Sequence, residues 1–356
     1  MEQLIAEIFE LIRDYRSDEG LPHVQMTPTR IRNWINQFDA ADRVFILTEL
    51  KAFLEIRYCS KSDVREFLKA AIEFLTDRYS YSSVSEFLLE TVFLDLQRAN
   101  KSQPTLLKLM KEVLHDEFQF DFALCGTRIK KNYIYIDDVL CTGNTLFQDM
   151  KTWVNESDSD GQTFLSKLQE KEIKLIFLYL FIHETNFYKK KAQFRYQIAQ
   201  DFESCFEMIR GIEIENGIGT KLEVFMPTEE NQPDIVQLYQ RQIEQKVNAY
   251  CDEKKIKQPL AEFYRPSDQP TTEQFFSSVA NRKKFEDILL KKGIEILNAA
   301  NTNIPNLRAL GYSLPSLKNF GFGTLCVTWR NVPNNCPITF WYTGGGNFPL
   351  FVKHQT

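Results

Sequence analysis

Two adjacent carboxylates, Asp137 and Asp138, are the side chains of this sequence best suited to chemistry. They follow the apolar residues 133–136 and precede, after two further apolar residues, a loop that comprises Cys141, Thr142, Gly143, Asn144 and Thr145. A carboxylate accepts hydrogen bonds from vicinal hydroxyl groups, whereas the hydroxyls and backbone N–H groups of such a loop bind phosphate. The residue types and their order therefore predict a sugar-phosphate site, with ribose hydroxyls on the aspartates and a 5′-phosphate in the loop.

These groups need a strand and a helix to position them. Residues 133–136 are β-branched and aromatic, which is typical of a buried central strand, and residues 146–154 have helical spacing. Ligands of open α/β sheets bind beyond the carboxyl ends of the strands, and helix N-termini attract anions. Because side chains alternate along a strand, we expect that the two carboxylates do not both face the core. Two acids before a helix would by themselves suit an ordinary capped turn, but the whole string favours the sugar-phosphate site.

The string Ile-Asp-Asp-Val-Leu-Cys-Thr-Gly-Asn-Thr at 136–145 resembles the phosphoribosyl-pyrophosphate (PRPP) loop of type I phosphoribosyltransferases. That family has an apolar strand, two acids, two apolar residues and a Thr-Gly-x-Thr-like phosphate loop. The resemblance implies that Asp137 and Asp138 are catalytic and hold the ribose 2′- and 3′-hydroxyls, while residues 141–145 bind the 5′-phosphate. It also implies Mg²⁺, bound through the pyrophosphate of PRPP. The family's separate pyrophosphate loop and mobile hood are not located by the sequence.

Two flanking regions extend the resemblance over most of the chain. They are the helical segment 34–38 and a C-terminal pattern of Leu-Gly-Tyr at 310–312, Asn-x-Pro-Asn-Asn-x-Pro at 331–337 and Phe-Pro-Leu-Phe at 348–351. With the central loop, they resemble the phosphoribosyltransferase-like domains of bacterial conflict, or anti-phage, systems. The resemblance implies an effector or toxin that acts beside a sensor, in some cases beside a retron reverse transcriptase. A protein or ribonucleoprotein partner would follow from that role.

Composition and charge exclude several other classes of protein. The 356 residues suffice for two or three domains, and the net charge of −5 gives no general attraction to nucleic acid, which stays possible only through a local basic patch. No apolar run reaches about 18 residues, so we expect no membrane span and a cytoplasmic location. Seven scattered cysteines without a Cys-x-x-Cys pair, and only four histidines, argue against metal-ligating residues. Cys141 is better interpreted as a small loop residue than as a nucleophile.

The alternation of apolar segments predicts an α/β fold with a doubly wound parallel sheet. We expect a phosphoribosyltransferase-like core at 81–228, a helical N-terminal region at 1–80 that could be winged-helix-like, and a mixed helical and β C-terminal extension at 229–356 that packs on the core. Helices are predicted at residues 4–12, 41–57 and 62–76, with two more within 82–115, and strands at 118–124, 173–182, 208–214 and 324–329.

Several residues leave alternatives open. The basic turn with Arg128, Lys130 and Lys131 suits either a pyrophosphate clamp or a solvated hairpin tip. His183 ends a buried strand, which favours a core histidine over a catalytic base. We expect a glycosyltransferase that binds PRPP or a nucleotide and acts at the ribose C1′ bond. The alternatives are a nucleotide-sensing or partner-binding module without chemistry and, against the acidic charge, a nucleic-acid scaffold using the N-terminal helices.

Overall fold

The computed structural model describes residues 1–99, 101–219 and 221–353. The α-helices of these residues are α1 (Glu2–Ile12), α2 (Pro28–Ile35), α3 (Arg43–Arg57), α4 (Lys61–Arg78), α5 (Val84–Leu89), α6 (Ser102–Phe118), α7 (Asn144–Trp153), α8 (Phe164–Gln169), α9 (Glu184–Gln197), α10 (Asp234–Lys254) and α11 (Val279–Ala300). The strands are β1 (Tyr58–Cys59), β2 (Thr91–Leu94), β3 (Asn132–Leu140), β4 (Lys174–His183), β5 (Phe206–Ile214) and β6 (Val327–Thr328). Within the described ranges, no helix has both the length and the apolar character that a membrane span requires.

The chain forms two compact units, and their boundaries differ from the three predicted segments. One unit, here called the sheet unit, consists of residues 61–216. The other, the discontinuous unit, combines residues 1–60 with the described residues from 217 onward. The chain thus changes unit at residues 60/61 and 216/217, and the three segments with boundaries near residues 80 and 228 stay a prediction.

The sheet unit is built around four parallel strands in the order β2–β3–β4–β5. The central pair is in register over most of its length, with Tyr135 opposite Phe177 and Asp137 opposite Tyr179. Helix α6 connects β2 to β3, α7 and α8 connect β3 to β4, and α9 connects β4 to β5. This alternation confirms the predicted α/β fold, and it brings the carboxyl ends of all four strands to one edge of the sheet.

Helices cover both faces of this sheet. Tyr133 and Tyr135 pack in a cluster with residues of α7, α8 and α9. Ile134 and Ile136 alternate with these tyrosines and so face the other side of the sheet, where they are also buried. Helix α6 contacts β3 and α4, and no residue of α4 or α6 belongs to the first cluster. Coverage of both faces explains why β4 is buried at every position after its first and is apolar or aromatic from Leu175 to Ile182.

The discontinuous unit has one core to which both ends of the chain contribute. Helices α1, α2, α3, α10 and α11 pack there with apolar C-terminal residues. The indole Nε1 of Trp34 donates a hydrogen bond to the carbonyl oxygen of Thr339 at 2.9 Å. The hydroxyl of Tyr15 donates to the carbonyl oxygen of Val352, also at 2.9 Å. Strands β1 and β6 pair in parallel in the same unit.

A buried network of charged side chains also lies in the discontinuous unit. Arg282 Nε donates to Glu286 Oε1 at 2.9 Å, and Arg265 Nη2 donates to Glu286 Oε2 at 2.7 Å. The other Arg282 nitrogens donate to the carbonyl oxygens of Leu222 and Val224, at 2.8 and 2.6 Å. The three charged side chains are almost wholly inaccessible to solvent. Each buried charge therefore has an opposite charge and hydrogen bonds around it, as burial requires.

Most predicted helices and strands are confirmed. Thr27 Oγ1 caps α2 by accepting a hydrogen bond from the backbone N of Arg30 at 3.1 Å, and Pro28 lies in the first turn. Helices α1, α3 and α4 lie within two residues of their predicted bounds. Strands β4 and β5 begin and end within two residues of theirs.

The predicted strand at residues 118–124 is wrong. That segment contains the end of α6 and a 3-10 turn at Phe122–Leu124. Gln119 adopts a left-handed conformation with φ of 49°, which ends the helix. Asp121 then accepts a hydrogen bond from the backbone N of Ala123 at 2.9 Å. The apolar residues of the segment thus pack in a turn, because local capping bonds replace the pairing that a strand would need.

Two other strands differ from the prediction. The sequence predicts only helices within residues 82–115, but β2 lies there and pairs with β3, with Phe93 opposite Ile134. Four residues are too few to show a strand's alternation. Of the strand predicted at 324–329, only β6 is present, because Thr328 N donates to the carbonyl oxygen of Asn331 at 2.9 Å and the chain turns.

Candidate functional site

The predicted sugar-phosphate motif lies at the carboxyl end of β3. This strand is longer than residues 133–136 and continues through both aspartates to Leu140. Asp137 and Asp138 are 6% and 5% exposed. The expectation that the two carboxylates would not both face the core is therefore wrong. Side chains do alternate along β3, but both faces of the sheet are covered, so each carboxylate lies in the interior.

Asp137 is held by neutral hydrogen-bond donors from the segment between β2 and α6. Ser102 Oγ, in the first turn of α6, donates to Asp137 Oδ1 at 2.5 Å. Gln97 Nε2 donates to Asp137 Oδ2 at 2.9 Å. The backbone N of Asp138 also donates to Asp137 Oδ1 at 2.9 Å. These bonds fix the carboxylate of Asp137 at the sheet edge.

A chain of hydrogen bonds links Asp137 to a second carboxylate on α7. Gln97 Nε2 also contacts the Tyr135 hydroxyl at 2.6 Å, and that hydroxyl donates to Asp149 Oδ2 at 2.7 Å. Gln103 supports the arrangement, since its Oε1 accepts hydrogen bonds from the backbone N of Gln97 at 2.9 Å. The loop after β2, strand β3 and the middle of α7 are therefore linked by one polar network.

The electrostatics of this network favour protonated carboxyls. Burial, with the charge of neighbouring Asp138, raises the pKa of Asp137 to about 7. The hydrogen bonds from Ser102 and Gln97 oppose this increase, because they stabilise the charged form. Burial likewise raises the pKa of Asp149, against the hydrogen bond from Tyr135. A carboxyl with a pKa near neutrality in a polar network is characteristic of a functional site.

The phosphate loop has the backbone geometry of an anion site. Gly143 is left-handed, with φ of 65°, and α7 begins at the next residue. Asn144 and Thr145 are exposed and Thr142 is half-buried, so the loop is accessible from solvent. Thr142 Oγ1 accepts a hydrogen bond from Asn144 N at 3.3 Å. The N-terminus of α7 presents backbone N–H groups and the positive end of the helix dipole.

Residues of α9 and the end of β4 flank this loop. A Cβ at Gly143 would lie 3.1 Å from Lys190 Cγ, which shows how closely this lysine approaches. Asn186 Nδ2 donates to the carbonyl oxygen of Cys141 at 2.8 Å. Cys141 Sγ lies 3.8 Å from Nε2 of His183, which is fully buried at the end of β4. Lys190 adds positive charge where a phosphate would be expected.

The structure brings the predicted residues together and adds others that the sequence did not indicate. Ser102, Gln97 and Asp149 contact the aspartate network, although no motif marked them. They could have been found only by recognising β2 as a neighbour of β3, since the loop after β2 then reaches the same edge.

The basic turn with Arg128, Lys130 and Lys131 lies at the opposite end of β3. Lys131 directly precedes the strand, and its Nζ lies 3.0 Å from Glu90 Oε2. It is therefore remote from the aspartates, by roughly 20 Å along the strand.

Carboxylates alone do not form a metal site at this edge. In the described parts of the chain, no three His, Cys, Asp or Glu side chains come together as metal ligands. Mg²⁺ prefers oxygen ligands and keeps several from water or from substrate phosphates. Asp137, Asp138 and Asp149 supply oxygens of this kind, so the residues present fit an ion held mainly by a bound pyrophosphate.

In a comparison with known protein families, the PRTase-CE family model matches residues 31–353. This range includes most of the chain, with the whole sheet unit, the larger part of the discontinuous unit and the whole of the candidate site. No curated protein and no solved structure matches the chain.

Proposed function

Because this chain belongs to the PRTase-CE family and has a phosphoribosyltransferase-like function, we propose that it binds a ribose 5-phosphate group, of PRPP or a nucleotide, and acts at the ribose C1′ bond. One observation carries the proposal. Asp137 and Asp138 lie at the carboxyl end of a central parallel strand, directly before a left-handed glycine loop and a helix N-terminus. Vicinal hydroxyls and a phosphate on one small molecule match these two features.

Different residues of the site would bind different groups of the ligand. The carboxylates of Asp137 and Asp138 would accept hydrogen bonds from the 2′- and 3′-hydroxyls, and residues 141–145 would bind the 5′-phosphate. As the bond at C1′ breaks, positive charge develops on the ribose ring, and the nearby carboxylates stabilise it. Deprotonation of Asp137 is needed for that role, so activity is expected to rise as the pH passes through about 7.

We also propose that the loop after β2 holds the leaving pyrophosphate. Arg98 is exposed in this loop, and the charge of Lys101 partly opposes the burial that raises the pKa of Asp149, so the lysine lies near the polar network. Bound Mg²⁺ would neutralise part of the pyrophosphate charge. Arg98→Gln is expected to weaken PRPP binding more than ribose 5-phosphate binding, and equal weakening of both would contradict this assignment.

A sensor without turnover is the second candidate. The observation that favours it is that both carboxylate oxygens of Asp137 already accept hydrogen bonds from Ser102 and Gln97. A ribose hydroxyl would have to share or replace these donors. In that case the same site would bind a nucleotide and report it to a partner. An effector role in bacterial anti-phage defence, with a protein or ribonucleoprotein partner, remains part of the proposal for either candidate.

Calorimetric titration with PRPP and Mg²⁺ tests the proposal, with pyrophosphate release assayed in the same samples. Asp138→Asn is expected to stay folded and to lose at least about 100-fold in turnover. Asp201→Asn, at an exposed position of the same unit, is the matched control and should retain activity. Wild-type turnover in Asp138→Asn would contradict the assignment. Binding without release would favour the sensor, and no binding would mean that the loop takes another ligand, so mononucleotides would follow.

A further inference from the structure

A cavity of about 110 Å³ lies in the discontinuous unit, between α10 and the segment after α11. Tyr239, Lys246 and Tyr250 line it from α10, and Arg308 lines it from the following segment. No Asp or Glu is among the described residues that line the cavity. It therefore combines two positive charges and two phenol hydroxyls without a negative charge of its own.

Arg308 differs from the other buried arginines. Five arginines in the described chain are less than a tenth exposed, namely Arg16, Arg57, Arg265, Arg282 and Arg308. The first four each pair with a carboxylate, at 2.6 to 2.9 Å. Arg308, which is 3% exposed, pairs with no carboxylate of the described residues. The one buried guanidinium without a counter-charge is thus the one that lines the cavity.

The partners of Arg308 satisfy its hydrogen bonds only in part. Nη1 donates to the carbonyl oxygen of Asn319 at 2.5 Å and to its Oδ1 at 3.1 Å, and Nη2 donates to the carbonyl oxygen of Leu314 at 3.3 Å. Neutral oxygens do not offset the cost of burying a cation. Burial accordingly lowers the pKa of Arg308 to about 10. Its Nε has no acceptor among the described residues.

Two further donors are available at the cavity. The Tyr239 hydroxyl accepts a hydrogen bond from Ala309 N at 3.3 Å, and its own proton has no acceptor in the described part of the chain. Burial raises the pKa of Tyr239 to about 12, so the hydroxyl stays protonated and can donate. Lys246 is exposed at the rim and supplies a mobile ammonium.

We propose that this cavity binds a phosphate group, with Arg308, Tyr239 and Lys246 as its donors. A tetrahedral oxyanion offers acceptor oxygens in several directions, and here Tyr239 and Lys246 approach from α10 while Arg308 approaches from the segment after α11. A planar carboxylate would instead be matched by the paired Nη atoms of an arginine, and in Arg308 these already bond to carbonyl oxygens. The site is independent of the ribose-phosphate site, because every residue that carries it belongs to the discontinuous unit.

Hydrogen exchange of the full chain, read by mass spectrometry, tests this site with inorganic phosphate as the probe and acetate at equal ionic strength for comparison. Phosphate is expected to slow exchange in peptides covering residues 239–250 and 302–315, and to raise the Tm by roughly 2 to 4 °C. Acetate should do neither. Peptides covering residues 141–145 report the other site in the same samples, so the two sites are distinguished.

Variants decide whether the named donors are responsible. Tyr239→Phe and Lys246→Gln keep the packing and should each weaken the protection by phosphate, whereas Arg308→Gln should abolish it. Lys292→Gln on α11, which removes a charge from a residue paired with Glu295, is the control and should behave like wild type. The proposal is overturned if phosphate gives wild type no protection, if acetate protects equally, or if protection persists unchanged in both Tyr239→Phe and Lys246→Gln.

Discussion

Buried charge is treated in opposite ways in the two units. In the discontinuous unit, Glu286 lies between Arg265 and Arg282, so that opposite charges meet within 2.9 Å. In the sheet unit, Asp137 and Asp138 are adjacent like charges, and the donors to the Asp137 side chain are neutral. The first arrangement is complete without a ligand. In the second, the hydrogen-bond donors to Asp137 carry no positive charge, as in a site where a bound molecule supplies part of the electrostatics.

The two units also differ in the donors that fix the buried carboxylates Glu286 and Asp137. Glu286 is fixed by two guanidiniums, whose planar geometry defines its position. Asp137 is fixed by Ser102 and Gln97, which leave it a pKa of about 7 and hence two accessible protonation states. A change to the first arrangement should therefore alter stability, whereas a change to the second should alter pH dependence and binding.

Removal of Glu286 is expected to have the largest effect. Glu286→Ala leaves two guanidiniums buried without their shared partner, so the free energy of unfolding should fall by about 3–5 kcal/mol. Urea denaturation followed by circular dichroism measures this change. Glu295→Ala, on an exposed face of the same helix, should cost less than about 1 kcal/mol. A small loss in Glu286→Ala would show that the network contributes little to stability.

Asp137→Asn should change how stability depends on pH. In wild type the raised pKa means that the folded state keeps a proton which the unfolded state loses near its ordinary value of 3.8. This contribution to stability is therefore fully present below about pH 4 and is lost as the pH rises to about 7, with a slope of up to about 1.4 kcal/mol per pH unit. Urea denaturation at several pH values should show that slope in wild type and in Asp201→Asn, but not in Asp137→Asn. Equal slopes in all three proteins would contradict the raised pKa.

Comparison of Gly143→Ala with Gly161→Ala should distinguish the cost of backbone strain from the effect of a distorted binding loop. Gly143 and Gly161 are both left-handed, with φ of 65° and 85°, so an alanine at either position should cost about 1 kcal/mol. At Gly143 the added Cβ also presses on Lys190 and Leu140, whereas nothing lies within 4 Å at Gly161. Calorimetry should therefore show weaker ligand binding only in Gly143→Ala. Equal binding by both variants would exclude the loop from the site.

Ser102→Ala is expected to give the smallest effect, and a pH-dependent one. It removes a hydrogen bond that favours the charged form of Asp137, so the pKa of Asp137 should rise further. The loss of stability should be about 0.5–1.5 kcal/mol at pH 8 and less at pH 5, where the carboxyl is protonated. Ser166→Ala, which removes a surface hydrogen bond to Glu170, should show no such difference between the two pH values.

Features whose residues all lie in one short segment could be predicted from the sequence. The strand, the two acids, the loop and the helix of residues 132–153 follow each other directly, so their order was enough to predict their arrangement. The cap at Thr27 was predictable for the same reason. In each case the interactions that decide the structure lie within a few residues of one another.

The rest depended on pairing between distant segments. Strand β2 has only four residues, and it is a strand because β3 lies beside it. Gln97 and Ser102 reach Asp137 only through that pairing, so no local pattern marked them. Burial of both aspartates likewise follows from helices on both faces of the sheet, which the strand's own sequence does not contain.

The discontinuous core has a consequence for how the chain is made. Trp34 bonds to a residue 305 positions later, and Tyr15 to one 337 positions later. During synthesis the N-terminal helices leave the ribosome long before these partners exist, whereas residues 61–216 contain all strands of their sheet. We expect the sheet unit to fold first and the first 60 residues to wait, with apolar surface that chaperones would recognise. Removal of the last twenty residues should then unfold the beginning of the chain.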